Sequence, residues 1–141
     1  MATGIPSANV HDALPGLWPL IRPAYEKSDL KLDLLAELRA RSCVLWGIYA
    51  KNMPVAGIVS RLLTREDKQP PEKHAHLWLV GGSRLLEWVP DFLPKFTAWA
   101  KAEGCAAVTG NGRPGWGRVV RKFGGYRVED LDGHPCWRLD L

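Results

Sequence analysis

Residues 80–92 read VGGSRLLEWVPDF. An apolar run ends at Val80, two glycines and a serine follow, and apolar residues then recur at helical spacing through Leu85, Val89, Phe92, Phe96 and Trp99. A strand that passes through glycines straight into a helix has two readings. Glycine lets backbone N–H groups crowd round an anion at a helix N-terminus, so the junction can cradle a phosphate. It can equally be a tight turn and nothing more.

Working outward, residues 74–82 (HAHLWLVGG) form the strand that enters this junction. Pro90 and Pro94 split the helix that leaves it, so its main part is expected to start near Asp91, a capping residue, with Pro94 in the first turn. Upstream, CVLWGIYA (43–50) and PVAGIVSRLLT (54–64) are β-branched and aromatic and flank Lys51-Asn52, which predicts a hairpin; REDKQPPEK (65–73) is an exposed loop. Downstream, Gly104 suits a helix C-terminus, and CAAVTG (105–110) is a short buried strand. NGRPG (111–115) is a loop, and WGRVVRKF (116–123) is a basic helix closed by Gly124-Gly125. YRVED (126–130) and PCWRLDL (135–141) are strands joined by a turn at Asp132-Gly133. Near the N-terminus, Leu14, Leu17, Trp18, Ile21 and Tyr25 keep a helical period, but Pro19 and Pro23 predict a kinked or broken helix. Leu30, Leu34, Leu35 and Leu38 mark a second helix, and residues 1–10 read as a loose tail.

A chain of 141 residues with 46% apolar content fits a single domain, 1–141, with a proper core and not a disordered segment. No apolar run is long enough to span a membrane, and MATGIPSANV lacks the features of a signal peptide. The three cysteines are scattered, which predicts reduced thiols in a cytoplasm and no metal site. A net charge of +4 permits an anionic ligand, but no nucleic-acid-reading motif is present.

Several of these segments resemble the GNAT-like (N-acetyltransferase fold) proteins common among bacteriophage and prophage genes. The likeness lies in the strand ending in Gly81-Gly82, in Trp99-Ala100 ahead of Gly104-Cys105, and in Gly112-Arg113 followed by Gly115-Trp116; it covers residues 14–141. The resemblance implies an α/β fold: a mixed, twisted sheet flanked by helices on both faces, with an N-terminal strand missing or degenerate here. It further implies an acyl-CoA cleft where the strand ending at Gly81 splays from the one starting at Cys105. The family's phosphate loop, Arg/Gln-x-x-Gly-x-Gly/Ala, is shortened here to Gly81-Gly82-Ser83-Arg84, which favours the turn.

The implied function is transfer of an acetyl group from acetyl-CoA to an amine. Val80, Gly81, Gly82, Ser83 and Arg84 would hold the cofactor, with Asn111 and Arg113 flanking the cleft. Such a reaction needs a base, and Glu72, His74 and His76 are candidates; the two histidines share a strand face, and one could act as a base at neutral pH. The acid that the family places on the helix after the fifth strand is missing, because WGRVVRKF holds no tyrosine. Tyr126 is expected to be an aromatic core residue, and Cys105 a core thiol. The alternative function is a catalytically inactive GNAT-like module that binds a protein partner, phage-encoded and located in a host cytoplasm. The substrate would be a small molecule or a protein amine.

Overall fold

The computed structural model describes all residues except 1, 6, 29–31, 112–113 and 130–134; at 2, 7, 111, 114–117, 129 and 135 only the backbone is described. Among the described residues, seven strands and four α-helices follow one another in the order β1 (Ala2–Ile5), α1 (Val10–Lys27), α2 (Leu34–Arg39), β2 (Cys43–Ala50), β3 (Met53–Arg65), β4 (Glu72–Gly82), α3 (Leu85–Ala102), β5 (Ala107–Asn111), α4 (Pro114–Arg121), β6 (Tyr126–Glu129) and β7 (Pro135–Asp140). The sheet order is β1-β2-β3-β4-β5-β7-β6. β4 and β5 run parallel, and the other described pairings are antiparallel, so the sheet is mixed.

The residues group into two compact units. The first comprises 1–61 and 78–92, the second 62–77 and 93–141.

In the first unit, the predicted hairpin turns at Lys51 and Asn52, both at positive φ (51° and 66°), the backbone that matches strand twist. A register shift follows: Ile48 faces Ala56 while Tyr49 faces Pro54, which leaves Val55 bulged out of the ladder. Residues 2–5 are not a loose tail. They form β1 against β2, with Gly4 opposite Trp46. ATGI carries no strand signal of its own, and the exposed edge of β2 organises it.

The proline-bearing helix is not broken either. α1 runs unbroken from Val10 to Lys27 with Pro15, Pro19 and Pro23 inside it. The fourfold spacing puts all three on the exposed face, where water can serve the carbonyls they leave unbonded. Leu17 and Ile21 occupy the opposite face and are fully buried, each contributing ~1.5–3 kcal/mol of transfer free energy. They join Leu34 and Leu38 of α2 with Leu45, Val59 and Leu79 in one apolar cluster. Trp46 is buried on the sheet and donates its Nε1–H to Ser60 Oγ at 3.1 Å, which satisfies the indole.

α3 is likewise one helix from Leu85, not two pieces, and Pro90 and Pro94 also lie on its exposed side. In the second unit, α3 and α4 end alike. Gly104 (φ 81°) and Gly124 (φ 90°) donate to Lys101 O and Arg121 O, and the residues after them, Cys105 and Gly125, donate to Ala100 O and Val120 O. This is the paired closure that favours glycine at C′. β5 starts at Ala107, two residues beyond Cys105, because Cys105 still belongs to that closure.

Candidate functional site

The opening junction lies in the first unit. A methyl group on Gly81 would overlap the Leu20 carbonyl oxygen and lie 2.7 Å from its carbon, so α1 and β4 touch backbone to backbone there. Gly82 sits at φ 128°, and a Cβ on it would come within 2.5 Å of Ala56 Cα. The Ser83 N–H donates to Val55 O at 3.2 Å, so the bulged residue of β3 is tied to this turn. Arg84, at φ 61°, opens the helix: its carbonyl accepts from the Glu87 and Trp88 N–H groups, while Trp88 Nε1–H donates to Ser83 O at 2.8 Å. Both glycines and the serine amide therefore serve internal packing. Val80 is half-buried. Anion-holding capacity in this stretch rests on the exposed Arg84 guanidinium, which an anion would share with Glu87 at 3.8 Å, and on the Leu85 and Leu86 N–H groups, which have no helical carbonyl a turn behind them. The two leucine amides were not legible as donors, because the proline at 90 put the helix start six residues too late.

The histidines lie in the second unit. Strand register aligns His76, Thr109, Arg138 and Tyr126 in one row across β4, β5, β7 and β6, and the adjacent row holds His74, Ala107 and Asp140. His74 and His76 thus share a face, as alternation requires. His74 is only 3% exposed, with Nε2 3.3 Å from Glu72 Oε1 and 3.5 Å from Arg138 Nη1. Arg138 forks onto Glu72 at 3.1 and 3.3 Å and donates from Nε to Asp140 Oδ1 at 2.7 Å. Tyr126 donates its hydroxyl to the other Asp140 oxygen at 2.8 Å.

The charge states follow. Burial pushes the His74 imidazole below its usual value, helped by Arg138 and opposed by Glu72, so it is neutral at pH 7. Hydrogen bonds from Arg138, and secondarily from His74, hold Glu72 below the usual carboxylate range; Arg138 and then Tyr126 do the same for Asp140. The Tyr126 phenol is raised, first by its bond to Asp140, and stays protonated. His76 is half-buried, its Nδ1 2.9 Å from Thr109 Oγ1.

Tyr126 is therefore not a core residue. It is 43% exposed and belongs to the polar row, a placement that needs the β6–β7 register and cannot be read from sequence. Cys105 is buried and its thiol is raised by burial, in keeping with a core role. Asn111 ends β5, with its side chain outside the described residues; Arg113 and the turn at Asp132-Gly133 lie outside them altogether. Among the described residues no cluster of His, Cys, Asp or Glu could hold a metal, and no helix is long and apolar enough to cross a membrane.

No family model and no curated protein matches this sequence. Solved structures do. The PaiA N-acetyltransferase from Thermoplasma acidophilum in complex with coenzyme A superposes with a TM-score of 0.63 at 11% identity, covering 100% of this chain and 99% of that one. The ribosomal-protein-alanine N-acetyltransferase from Brucella melitensis gives 0.65 at 11% identity over 100% and 99%. An N-acyl amino acid synthase from uncultured soil microbes gives 0.66 at 12% identity over 99% and 90%. At such identities the likeness is one of architecture, and it extends along the whole chain, β1 included. The mixed seven-stranded sheet with its four helices is the fold of the GNAT N-acetyltransferases.

Proposed function

We propose that this chain transfers an acetyl group from acetyl-CoA to an amine, with His76 accepting the amine proton. The observation that carries the reading is the setting of the two imidazoles. His74 is sealed among Glu72 and Arg138, whereas His76 is half-buried and oriented through Nδ1 by Thr109. An oriented, partly accessible imidazole is the residue type that accepts a proton near neutral pH. Glu72, bound to Arg138 and held ionised, tunes His74 in this reading and does not itself act as base. Tyr126 lies three strand spacings from His76 with its hydroxyl proton given to Asp140, so in this reading the departing thiolate takes its proton from solvent.

When bound, acetyl-CoA supplies the acyl group as an activated thioester. Of the loop residues, Arg84 with the Leu85 and Leu86 N–H groups suits its diphosphate, while Gly81, Gly82 and Ser83 shape the turn. The architecture shared with acetyltransferases, one of them in complex with coenzyme A, supports this reading at the level of fold.

Calorimetric titration with acetyl-CoA, followed by thiol-release assays on a panel of primary amines, tests it. Micromolar binding, with transfer that His76→Ala lowers by about 10²–10⁴-fold at unchanged cofactor affinity, is the expected result. The second reading is a GNAT-fold module that binds a protein partner without catalysis. It is favoured by one observation, the use of Gly81, Gly82 and the Ser83 amide in packing. Absence of binding at millimolar acetyl-CoA would overturn our reading and favour that one.

A further inference from the structure

Residues 118–127 hold four cations, Arg118, Arg121, Lys122 and Arg127, and no acid; the first acid after them is Glu129, the last residue of β6, so the cations gather on α4 and the start of that strand. All four side chains are exposed. Four arginines elsewhere take acidic neighbours, Arg22 with Glu26, Arg65 with Asp67, Arg84 with Glu87, and Arg138 with Glu72 and Asp140, while Arg39 lies against His11 and Arg61 over the Trp78 ring. Among the described residues, the four cations of 118–127 take no acidic neighbour.

Their placement is specific. α4 packs against β6 and β7, with Gly125 so close that a Cβ there would lie 3.0 Å from Val120 Cβ. Arg127 is opposite Trp137 in the β6–β7 register, and Trp137 alternates onto the same face as Leu139. Leu139 lines a cavity of about 260 Å³ with Phe123, just beyond α4, and with Leu93 and Thr97 of α3. Arg127 thus stands on the helix-covered side of the sheet, beside the basic end of α4. β6 is also the last strand in the sheet order, so among the described residues its outer edge has no strand neighbour.

We propose that this edge is a docking surface for an acidic peptide segment, which extends the sheet alongside β6 and sets its carboxylates against Arg118, Arg121, Lys122 and Arg127. An unpaired edge offers backbone donors and acceptors to an extended chain, and the surrounding charge selects its sequence. A second copy of this chain is a poor occupant, because edge-to-edge pairing would oppose Arg127 and its neighbours to themselves. A single-stranded nucleic acid would want stacking aromatics among the cations; of the two in this stretch, Phe123 lines the cavity with Leu139 and Tyr126 has its hydroxyl held by Asp140. The inference does not depend on whether the chain transfers acetyl groups.

The test uses the full chain and fluorescence anisotropy with a labelled peptide of alternating glutamate and valine. The comparison probes are the lysine–valine analogue, the acidic peptide N-methylated at alternate amides, and an oligothymidine strand. The acidic peptide alone should bind, and its affinity should fall by about tenfold or more when salt shortens the Debye length from ~10 to ~3 Å. Arg121→Glu/Arg127→Glu should abolish binding while the circular dichroism spectrum is kept. The N-methylated peptide should bind about tenfold more weakly, an independent readout that needs no protein variant. Absence of acidic-peptide binding, equal binding of the N-methylated form, tighter binding of oligothymidine, or dimerisation of the chain that the double variant abolishes would each overturn the proposal.

Discussion

Gly81→Ala separates packing from ligand binding at the strand–helix junction. The new methyl group meets backbone, not a flexible side chain: it overlaps the Leu20 carbonyl oxygen and lies 3.3 Å from Ile21 Cα. Neither α1 nor β4 can retreat without uncovering Leu17, Ile21 and Leu79, which are buried in the same cluster. Overpacking typically costs ~1–3 kcal/mol when side chains can yield, and a backbone clash belongs at or above the top of that range. With an unfolding entropy of ~2.1 cal/mol/K per residue, a loss of ~3 kcal/mol lowers Tm by about 10 °C in a chain this size. Two other glycines calibrate the scale, since a Cβ on either meets nothing within 4 Å. Gly104→Ala has only its left-handed backbone (φ 81°) against it and should lose ~1–2 kcal/mol. Gly16→Ala, on the exposed side of α1, should gain up to ~1 kcal/mol. Thermal melts of the three variants, with and without acetyl-CoA, make the comparison. A Gly81→Ala protein that melts within a degree or two of the parent but no longer binds acetyl-CoA would refute the packing argument.

Three further outcomes are expected. Because His74 is depressed in the folded state, the unfolded chain binds the extra proton first. Stability should therefore be fully present above about pH 6.5 and decline as pH falls toward the lowered native value, by at most ~1.4 kcal/mol per pH unit; His74→Gln should flatten this limb in melts from pH 7 to 5. Arg138→Met removes the cation shared by Glu72 and Asp140, so NMR titration should show both carboxylates and the His74 imidazole moving up; an unchanged His74 would mean that burial alone sets it. Cys43, pushed up to about 11 by burial, and the buried Cys105 and Cys136 should resist a thiol reagent at pH 8 until the chain unfolds; fast native labelling of any one would contradict the described core.

Much of the fold was legible because its signals are local. The Lys51-Asn52 hairpin, the Gly104 closure and the strand–glycine–helix junction each follow from a residue's own conformational preference. Proline misled twice for one reason. A proline's cost depends on whether the carbonyl behind it faces water, and that is decided by which side of α1 or α3 packs. β1 was missed because its pairing comes from β2. The candidate site divides the same way. Alternation alone put His74 and His76 on one face, but Tyr126 joins Asp140, and Arg138 joins Glu72, only through register between segments dozens of residues apart. The roles of Gly81 and Gly82 were equally hidden, since their neighbours Leu20 and Ala56 are far away in sequence.

The proline ladder on α1 also bears on how the chain reaches its native state. Without amide protons at 15, 19 and 23, the helix lacks three of its own hydrogen bonds, and as a free segment it would have little tendency to coil at all. Its conformation is held by the apolar surface beneath it, through Leu17 and Ile21. α1 is thus expected to be a late-arriving cover: the β2–β3 hairpin closes by its own two-residue turn, whereas the shape of α1 depends on the apolar surface it condenses onto.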